Sequence, residues 1–324
     1  MSRTGVMLVG FGGPDSLDAV GPFMCNLMGE EPSDALVQRV CTRYLAIGGK
    51  SPLGEIAADM AQMLQQSLKD LGHDVPVAVG MRYWNPFIGE AFEHLMSLGC
   101  DRIVTVSLSP FESKVAHGAY REALAQASDA AGGVEVVEAP LLSELEDYVE
   151  FFAMAAASAL DDVQPDTGAI IAFTAHSLPE SDLVDNDPYV AGLRRVATAI
   201  AERMGMEPGG SGAGTMLGGL DAFGSMLPPR TWFLVYQSQG QRPGAWLGPS
   251  VDDLIDAAAA TTDYTSVVAV PIGFATDHME TLYDLDIMAA DRALQADVGF
   301  VRAAVPNDNE RLIRAVAESV SNLI

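Results

Sequence analysis

Three features of the sequence predict an α/β protein built on parallel sheets. Eight short apolar runs, rich in β-branched residues, recur along the 324 residues. The runs are nearly continuous in apolar residues rather than alternating, which is typical of strands covered on both faces. Longer amphipathic segments separate them, as expected where helices connect parallel strands. The predicted strands span residues 6–11, 75–81, 103–108, 134–138, 169–174, 232–236, 267–273 and 299–303.

The segments between these runs predict eight helices. Apolar residues recur there at three- and four-residue spacing, so that one face of each helix can pack on a sheet. The predicted helices span residues 51–71, 88–98, 119–131, 144–160, 187–204, 251–260, 277–293 and 308–323.

The strands fall into two sets of four, with a break near Glu150. Each half opens with an apolar strand, a turn and a proline, as MLVGFGGP and IIAFTAHSLP. We therefore expect two similar domains, residues 1–150 and 151–324, with the last helix able to pack back on the first. A Gly-rich segment at 208–229 interrupts the second half. It is interpreted as a flexible surface loop, with a lid over a ligand as the alternative.

The charge and the cysteines exclude several classes of function. Eighteen basic and 44 acidic residues give a net charge of −26. No basic stripe is available for nucleic acid, and an anionic membrane surface would repel the chain. Cys25, Cys41 and Cys100 form no CxxC pair, which argues against an iron–sulfur cluster or a disulfide framework. With no signal peptide or membrane span in the sequence, we expect a soluble cytoplasmic monomer.

Polar residues that directly follow the predicted strands indicate where the chemistry lies. In an open parallel sheet, ligands bind at the carboxyl ends of the strands. Segments 174–179, 237–239 and 274–280 follow three strands of the second half, so they should converge on one crevice. Segment 10–15 follows the first strand but fails as a dinucleotide fingerprint, because Asp15 stands where the third glycine is required.

His176 and Glu280 are the candidate reactive residues of that crevice. Taken singly, each has a structural explanation: a histidine at a strand end is often structural, and Asp277 with Glu280 resembles a capping box. Together, imidazole and carboxylate make an incomplete ligand set for a borderline divalent metal, which suits a protein that must release the metal. Asp277, Glu280 and Asp284 are spaced to share one helix face, either as a solvated stripe or as a path for a hydrated cation.

Six blocks of sequence resemble the ferrochelatase family in order and spacing, from about residue 5 to 307. The resemblance implies two Rossmann-like domains with four-stranded parallel sheets and a porphyrin cleft between them. It also implies that His176 and Glu280 are the catalytic and metal-binding pair, with His278 of the same block supporting the site. The blocks are GGPDSLDAVGPFMCNL, RYLAIGGKSPL, GMRYWNPFIGEAF, AHSLPES with DPY, YQSQG with WLGPS, and PIGFATDHMETLYDLD.

The same resemblance assigns residues to the porphyrin site. Phe11 falls where related bacterial enzymes carry Tyr or another bulky residue. Ser51 and Tyr120 match positions that contact the porphyrin in relatives, with loop polarity or core packing as the alternative. Arg43, followed by Tyr44, is a candidate partner for a propionate, because a guanidinium can bind a carboxylate through two hydrogen bonds.

The activity implied is insertion of iron(II) into a porphyrin for heme biosynthesis, with iron as substrate and no tightly bound cofactor. Coproporphyrin III is favoured over protoporphyrin IX as the porphyrin. Two departures from the family are an acidic MGEEPSD at 28–34 and Met288 in place of a glutamate. The alternatives are a cobalt chelatase acting on sirohydrochlorin and a tetrapyrrole-binding protein without catalysis. A hydrolase using Ser177 lacks the GxSxG elbow.

Overall fold

The computed structural model describes residues 3–163, 168–208, 230–240, 242–261 and 264–324. The Gly-rich segment interpreted above as a loop or lid lies outside these residues, apart from Pro208. The chain packs as two compact units. Unit 1 comprises Met1–Asp147, Ala275–Met279 and Pro306–Ile324, and unit 2 comprises Tyr148–Phe274 and Glu280–Val305.

Unit 1 contains a four-stranded parallel sheet in the order β2–β1–β3–β4, which confirms the four predicted strands. Every residue of β1 is buried and β1 pairs with both β2 and β3, so it forms the centre of the sheet. The strands are β1 (Thr4–Gly10), β2 (Val77–Met81), β3 (Arg102–Ser107) and β4 (Glu135–Glu138).

Five helices accompany this sheet, and three of them lie close to the predicted bounds. They are α1 (Val20–Met28), α2 (Asp34–Ala46), α3 (Leu53–Asp70), α4 (Ile88–Ser97) and α5 (Ala116–Ala130). Helices α1 and α2 were not predicted from the sequence. Gly21 and Pro22 weaken the helical signal of α1, and only Tyr44 of α2 is buried, so α2 lacks a clear apolar stripe. Ser33 nonetheless caps α2 by accepting a hydrogen bond from the Leu36 N–H.

The sheet of unit 2 is also parallel and has the order β6–β7–β5–β8–β9. Four of its strands are those predicted, and a two-residue edge strand, β6, adds a fifth. Two residues are too few to show a strand pattern, so β6 could not be predicted from the sequence. The strands are β5 (Ala169–His176), β6 (Glu207–Pro208), β7 (Arg230–Gln237), β8 (Ser266–Val270) and β9 (Gly299–Arg302).

The helix predicted at 277–293 is not one regular helix. It starts as α9 (Met279–Leu282), passes through a six-residue π-helical segment (Asp284–Ala289) and continues as α10 (Ala290–Gln295). In the π-helical segment the Met288 N–H donates to the Tyr283 carbonyl, five residues back, at 2.9 Å. The helices that follow β4 are α6 (Glu146–Asp161), α7 (Pro188–Arg203), α8 (Val251–Ala259), α9 (Met279–Leu282), the π-helix (Asp284–Ala289) and α10 (Ala290–Gln295). Short 3₁₀ helices span Leu142–Glu144 and Glu180–Asp182.

The chain returns to unit 1 for its last helix, α11 (Glu310–Ser321). The buried side chains of α11 lie on one face, and α11 packs against α3. They are Leu312, Ile313, Val316, Ala317 and Val320. No helix in the described part of the chain combines the length and the hydropathy needed to cross a membrane.

A buried histidine lies in the first turn of α5. His117 is 3% exposed, and its Nδ1 accepts a hydrogen bond from the Ser113 N–H at 3.3 Å. Its Nε2 has no hydrogen-bond partner among the described residues. A cavity of about 20 Å³ next to it, lined also by Thr105 and Ser107, is large enough for one water molecule. Burial lowers the pKa of His117, although the charge of Glu112 opposes this effect.

The depressed pKa of His117 predicts that acid destabilises unit 1. The unfolded chain binds a proton at this residue more readily than the folded chain does, so stability is lost as the pH falls below the ordinary value of 6.5. We expect the free energy of unfolding of His117→Gln, which cannot titrate, to fall less over this range than that of the native chain. Urea denaturation at several pH values measures both. His94→Gln, at an exposed position on α4, is the control. Parallel curves for the native chain and His117→Gln would contradict the prediction.

Candidate active site

His176 is the last residue of the central strand β5. The seven residues before it are buried, and β5 pairs with β7 on one side and β8 on the other. This packing fixes the backbone that carries the imidazole. The buried hydroxyl of Tyr189 adds a further constraint by donating to the His176 carbonyl at 2.9 Å.

Glu280 is brought to the same sheet edge by the segment that follows β8. The Gly273 N–H donates to the Thr174 carbonyl at 3.0 Å, so this segment passes directly against the end of β5. A Cβ on Gly273 would lie 2.6 Å from the Ala175 Cβ and 2.7 Å from its Cα, distances that only glycine avoids. The chain then turns into α9, which carries Glu280 in its first turn.

His176 and Glu280 form a hydrogen-bonded pair, with 2.9 Å between Nδ1 and Oε2. Their side chains are 34% and 30% exposed, so both are half-buried and both reach solvent. When the carboxylate is ionised, the neutral imidazole carries its proton on Nδ1 and presents a lone pair at Nε2. Within the described residues, no side chain or backbone group hydrogen-bonds to that Nε2.

Opposing effects act on the imidazole. Burial lowers the pKa of His176, but the charge and the hydrogen bond of Glu280 and the charge of Asp284 together outweigh burial and raise this pKa above its usual value. Asp284 is itself held in place, because the Ser238 hydroxyl donates to its Oδ2 at 2.5 Å. Ser238 has a φ of 59°, in the left-handed region.

Asp277 and His278 lie just ahead of α9 and belong to unit 1. The Asp277 N–H donates to Oδ1 of Asn307 at 2.7 Å, and Nδ2 of Asn307 donates to the Asp277 carboxylate at 2.9 Å. Because α9 begins at Met279, Asp277 is not a helical residue. The predicted stripe of three carboxylates along one regular helix is therefore wrong, although Glu280 and Asp284 both act on the His176 imidazole.

Two of the residues assigned to the porphyrin are exposed in unit 1. Phe11 is 38% exposed, and its ring centroid lies 4.7 Å from that of Tyr83. Arg43 is exposed in the last turn of α2. Phe11 therefore presents an aromatic surface to solvent, and Arg43 carries a positive charge on an otherwise acidic protein.

Three further residues of that assignment are buried in unit 1. Tyr44 is 5% exposed and packs in the apolar cluster beneath α1 and α2. Ser51 is 6% exposed and accepts a hydrogen bond from the Leu53 N–H at 3.3 Å, at the start of α3. Tyr120 is 3% exposed, with its hydroxyl 3.0 Å from that of Ser109. Their burial fits core packing or loop polarity, and their assignment to the porphyrin stays a prediction.

No individual role was predicted for Gln237, Ser238 or Tyr189, although they lie in sequence blocks that resemble the family. Each acts through a hydrogen bond to His176, Glu280 or Asp284, which a sequence motif does not display. In the described part of the chain, no three His, Cys, Asp or Glu side chains are grouped to hold a metal ion.

The family model and the curated relatives that match this chain carry the same family name. The chain matches the family model described as Ferrochelatase over residues 3–323. "Coproporphyrin III ferrochelatase 2" of Bacillus cereus is 26% identical over 99% of this chain and 95% of its own length. "Coproporphyrin III ferrochelatase" of Halalkalibacterium halodurans is 27% identical, covering 97% and 95%. "Ferrochelatase" of Synechococcus elongatus is 30% identical, covering all of this chain and 83% of its own length.

Two solved structures share the fold. "SirB from Bacillus subtilis with Fe3+" has a TM-score of 0.52 at 12% identity, covering 98% of this chain and 94% of that chain. CbiX, the terminal enzyme for siroheme biosynthesis in denitrifying bacteria, has a TM-score of 0.52 at 15% identity, covering 99% of both chains. At such identities the likeness concerns the fold alone, and it supports the predicted pair of parallel sheets.

The close approach at Gly273 predicts that Gly273→Ala destabilises the end of β5. The added methyl group would meet backbone that cannot move without disturbing the pairing of β5 with β7. We expect a loss of about 1–3 kcal/mol in the free energy of unfolding, as for other overpacked sites. Urea denaturation measures it. Gly54→Ala is the control, because Gly54 is exposed on α3 with open space at its Cβ position. Equal stability of the native chain and Gly273→Ala would contradict the prediction.

Proposed function

The chain belongs to the ferrochelatase family, and from that membership we propose that it inserts iron(II) into coproporphyrin III, with His176 and Glu280 as the reactive pair. The observation that carries the proposal is the 2.9 Å contact between Nδ1 of His176 and Oε2 of Glu280 at the edge of a parallel sheet. The chain that places them there matches the family model from residue 3 to 323. Two relatives are named as coproporphyrin III ferrochelatases, and we place this metal insertion in heme biosynthesis.

Metallation requires a proton acceptor next to the ring. A free porphyrin carries two pyrrole N–H groups, so binding of Fe²⁺ by the four ring nitrogens releases two protons while iron sheds its water ligands. We assign His176 as the acceptor, through Nε2, of one proton at a time; because its side chain reaches solvent, the imidazolium can pass the first proton to water before it accepts the second. With Glu280 on Nδ1, the imidazole is held in the tautomer that has a lone pair at Nε2, and its raised pKa makes it a stronger base.

Glu280 has two roles in this proposal. Its charge stabilises the imidazolium that forms when His176 takes a proton. Its carboxylate, which is 30% exposed, is also a hard oxygen donor that can replace a water ligand of the incoming iron. A raised pKa disfavours metal binding by His176 itself, because the proton competes with the metal for the same lone pair. We therefore propose that His176 accepts the proton and that Glu280 binds the iron.

Coproporphyrin III is proposed as the porphyrin because the two Bacillaceae relatives carry that substrate in their names. Protoporphyrin IX is the second candidate. The acidic segment at 28–34 would repel the extra carboxylates of coproporphyrin, and the Synechococcus relative is named only as a ferrochelatase.

With either porphyrin, Arg43 is the proposed partner of a propionate, and Phe11 is the proposed contact with the flat ring. We propose that the reaction takes place in the cytoplasm, which suits the three free cysteines.

The test is anaerobic metallation by the purified protein. Iron(II) is mixed with coproporphyrin III or, separately, with protoporphyrin IX, and loss of porphyrin fluorescence is followed. We expect His176→Ala and Glu280→Ala each to lower kcat by roughly 10²- to 10⁴-fold, the usual contribution of acid–base groups. His94→Ala and Glu93→Ala, both exposed on α4, are the matched controls. Porphyrin binding without metallation above the uncatalysed rate would contradict the proposal and favour a binding protein.

The rate of metallation should depend on pH through His176. Only the neutral imidazole can accept a proton, so kcat/KM for the porphyrin should fall as the pH drops through the raised pKa, which lies above the ordinary value of 6.5. Glu280→Gln removes the charge of Glu280, so that burial, which lowers the pKa of His176, is opposed chiefly by the charge of Asp284. We expect its acid limb to move to lower pH, at a reduced maximal rate. Rate profiles between about pH 5.5 and 8.5 measure the shift. An acid limb that stays in place in Glu280→Gln would contradict the assignment of His176.

A further inference from the structure

A chain of two hydrogen bonds runs from the core of unit 2 to the backbone of Glu280. The Thr174 hydroxyl donates to Oε1 of Gln237 at 2.7 Å. Nε2 of the same amide donates to the Glu280 carbonyl at 2.6 Å. Thr174 is fully buried and Gln237 is 7% exposed, so the first bond is shielded from water and the second is partly shielded.

The direction of these two bonds is fixed by chemistry. The Glu280 carbonyl can only accept, so the Gln237 amide must turn its NH₂ toward it. The amide oxygen then faces Thr174, whose hydroxyl must donate. A flipped amide would place two oxygens 2.6 Å apart, which is repulsive. The Glu280 carbonyl therefore selects the amide orientation, and the Thr174 hydroxyl, which can donate or accept, stabilises that orientation by donating to the amide oxygen.

The backbone of Gln237 is tied to the other member of the pair. Gln237 lies opposite His176 in the β5–β7 register, and its carbonyl accepts from the Ser177 N–H at 2.8 Å. One residue thus touches the strand that carries the imidazole and the helix that carries the carboxylate. The helix needs such support, because α9 has four residues and a helix that short has little stability of its own.

We propose that Gln237 is a positioning residue that holds the Glu280 carboxylate at hydrogen-bonding distance from Nδ1 of His176. The inference rests on the proposed function for its kinetic consequence, but the geometry it concerns can be observed independently. Gln237 acts through the backbone of Glu280, and Thr174 acts through Gln237. The amide does not exchange protons with the substrate in this scheme.

The first experiment compares three variants in the anaerobic metallation assay. Thr174→Val keeps the shape of the side chain and removes the hydroxyl, whereas Thr174→Ser keeps the hydroxyl. Gln237→Met removes both hydrogen bonds. We expect kcat to fall roughly 10- to 100-fold in Gln237→Met, the usual effect of losing a partner behind a reactive group, with KM for the porphyrin unchanged. Thr174→Val should show a smaller loss of kcat, and Thr174→Ser should recover the native value.

Thr231→Val is the matched control. Thr231 is also fully buried, on β7 at the opposite end from Gln237, and its hydroxyl oxygen accepts from Tyr264 at 3.3 Å. The substitution removes a buried hydroxyl from the same sheet without touching the pair, so it should lower stability and leave kcat unchanged. A loss of kcat as large in Thr231→Val as in Thr174→Val overturns the proposal, because the effect would then be a general loss of stability.

Crystal structures of the native protein and of Gln237→Met provide the second readout. We expect the distance between Nδ1 of His176 and Oε2 of Glu280 to increase in the variant. A distance that stays near 2.9 Å overturns the proposal. If the native protein fails to metallate either porphyrin, the proposed function fails, and the crystallographic comparison still decides the role of Gln237. If Thr174→Val and Gln237→Met both keep the kcat of the native protein, the proposed role of Gln237 is also overturned.

Discussion

The hydrogen bond between His176 and Glu280 is the contact on which the proposed chemistry of this protein depends. It joins side chains 104 residues apart in the sequence, and neither could hold the other without support. Burial would keep the imidazole neutral, while the carboxylate favours its charged form, so the pair can take and release a proton. The buried strand β5 fixes one partner. The close passage at Gly273 and the amide of Gln237 fix the other.

Much of this arrangement was predictable from sequence because the strands are short and almost purely apolar. A polar residue directly after such a strand lies at the carboxyl edge of a parallel sheet, and this rule found both His176 and Glu280. It could not find the role of Gln237, whose importance lies in the orientation of an amide. Nor could apolar spacing distinguish the π-helical segment at Asp284–Ala289 from an ordinary helix, since a single π-helical turn inserts only about one extra residue into the pattern.

Aromatic residues in unit 1 show a second limit of sequence patterns. Phe11, Tyr44 and Tyr120 were all assigned to a flat ligand, yet only Phe11 has an exposed ring. A tyrosine that packs in a core and one that stacks on a ligand occupy similar places in a sequence motif, and burial alone separates them. The hydroxyl of Tyr120 finds its partner inside the protein, in Ser109, as buried tyrosines usually do.

The return of α11 to unit 1 has a consequence for how the protein is made. The face of α3 that α11 covers is synthesised before unit 2, whereas α11 is synthesised after it. Until then the nascent chain carries an uncovered apolar surface, which makes it prone to aggregation. Unit 1 therefore cannot complete its fold until α11 has been synthesised. We expect chaperones to bind the nascent chain mainly during that interval.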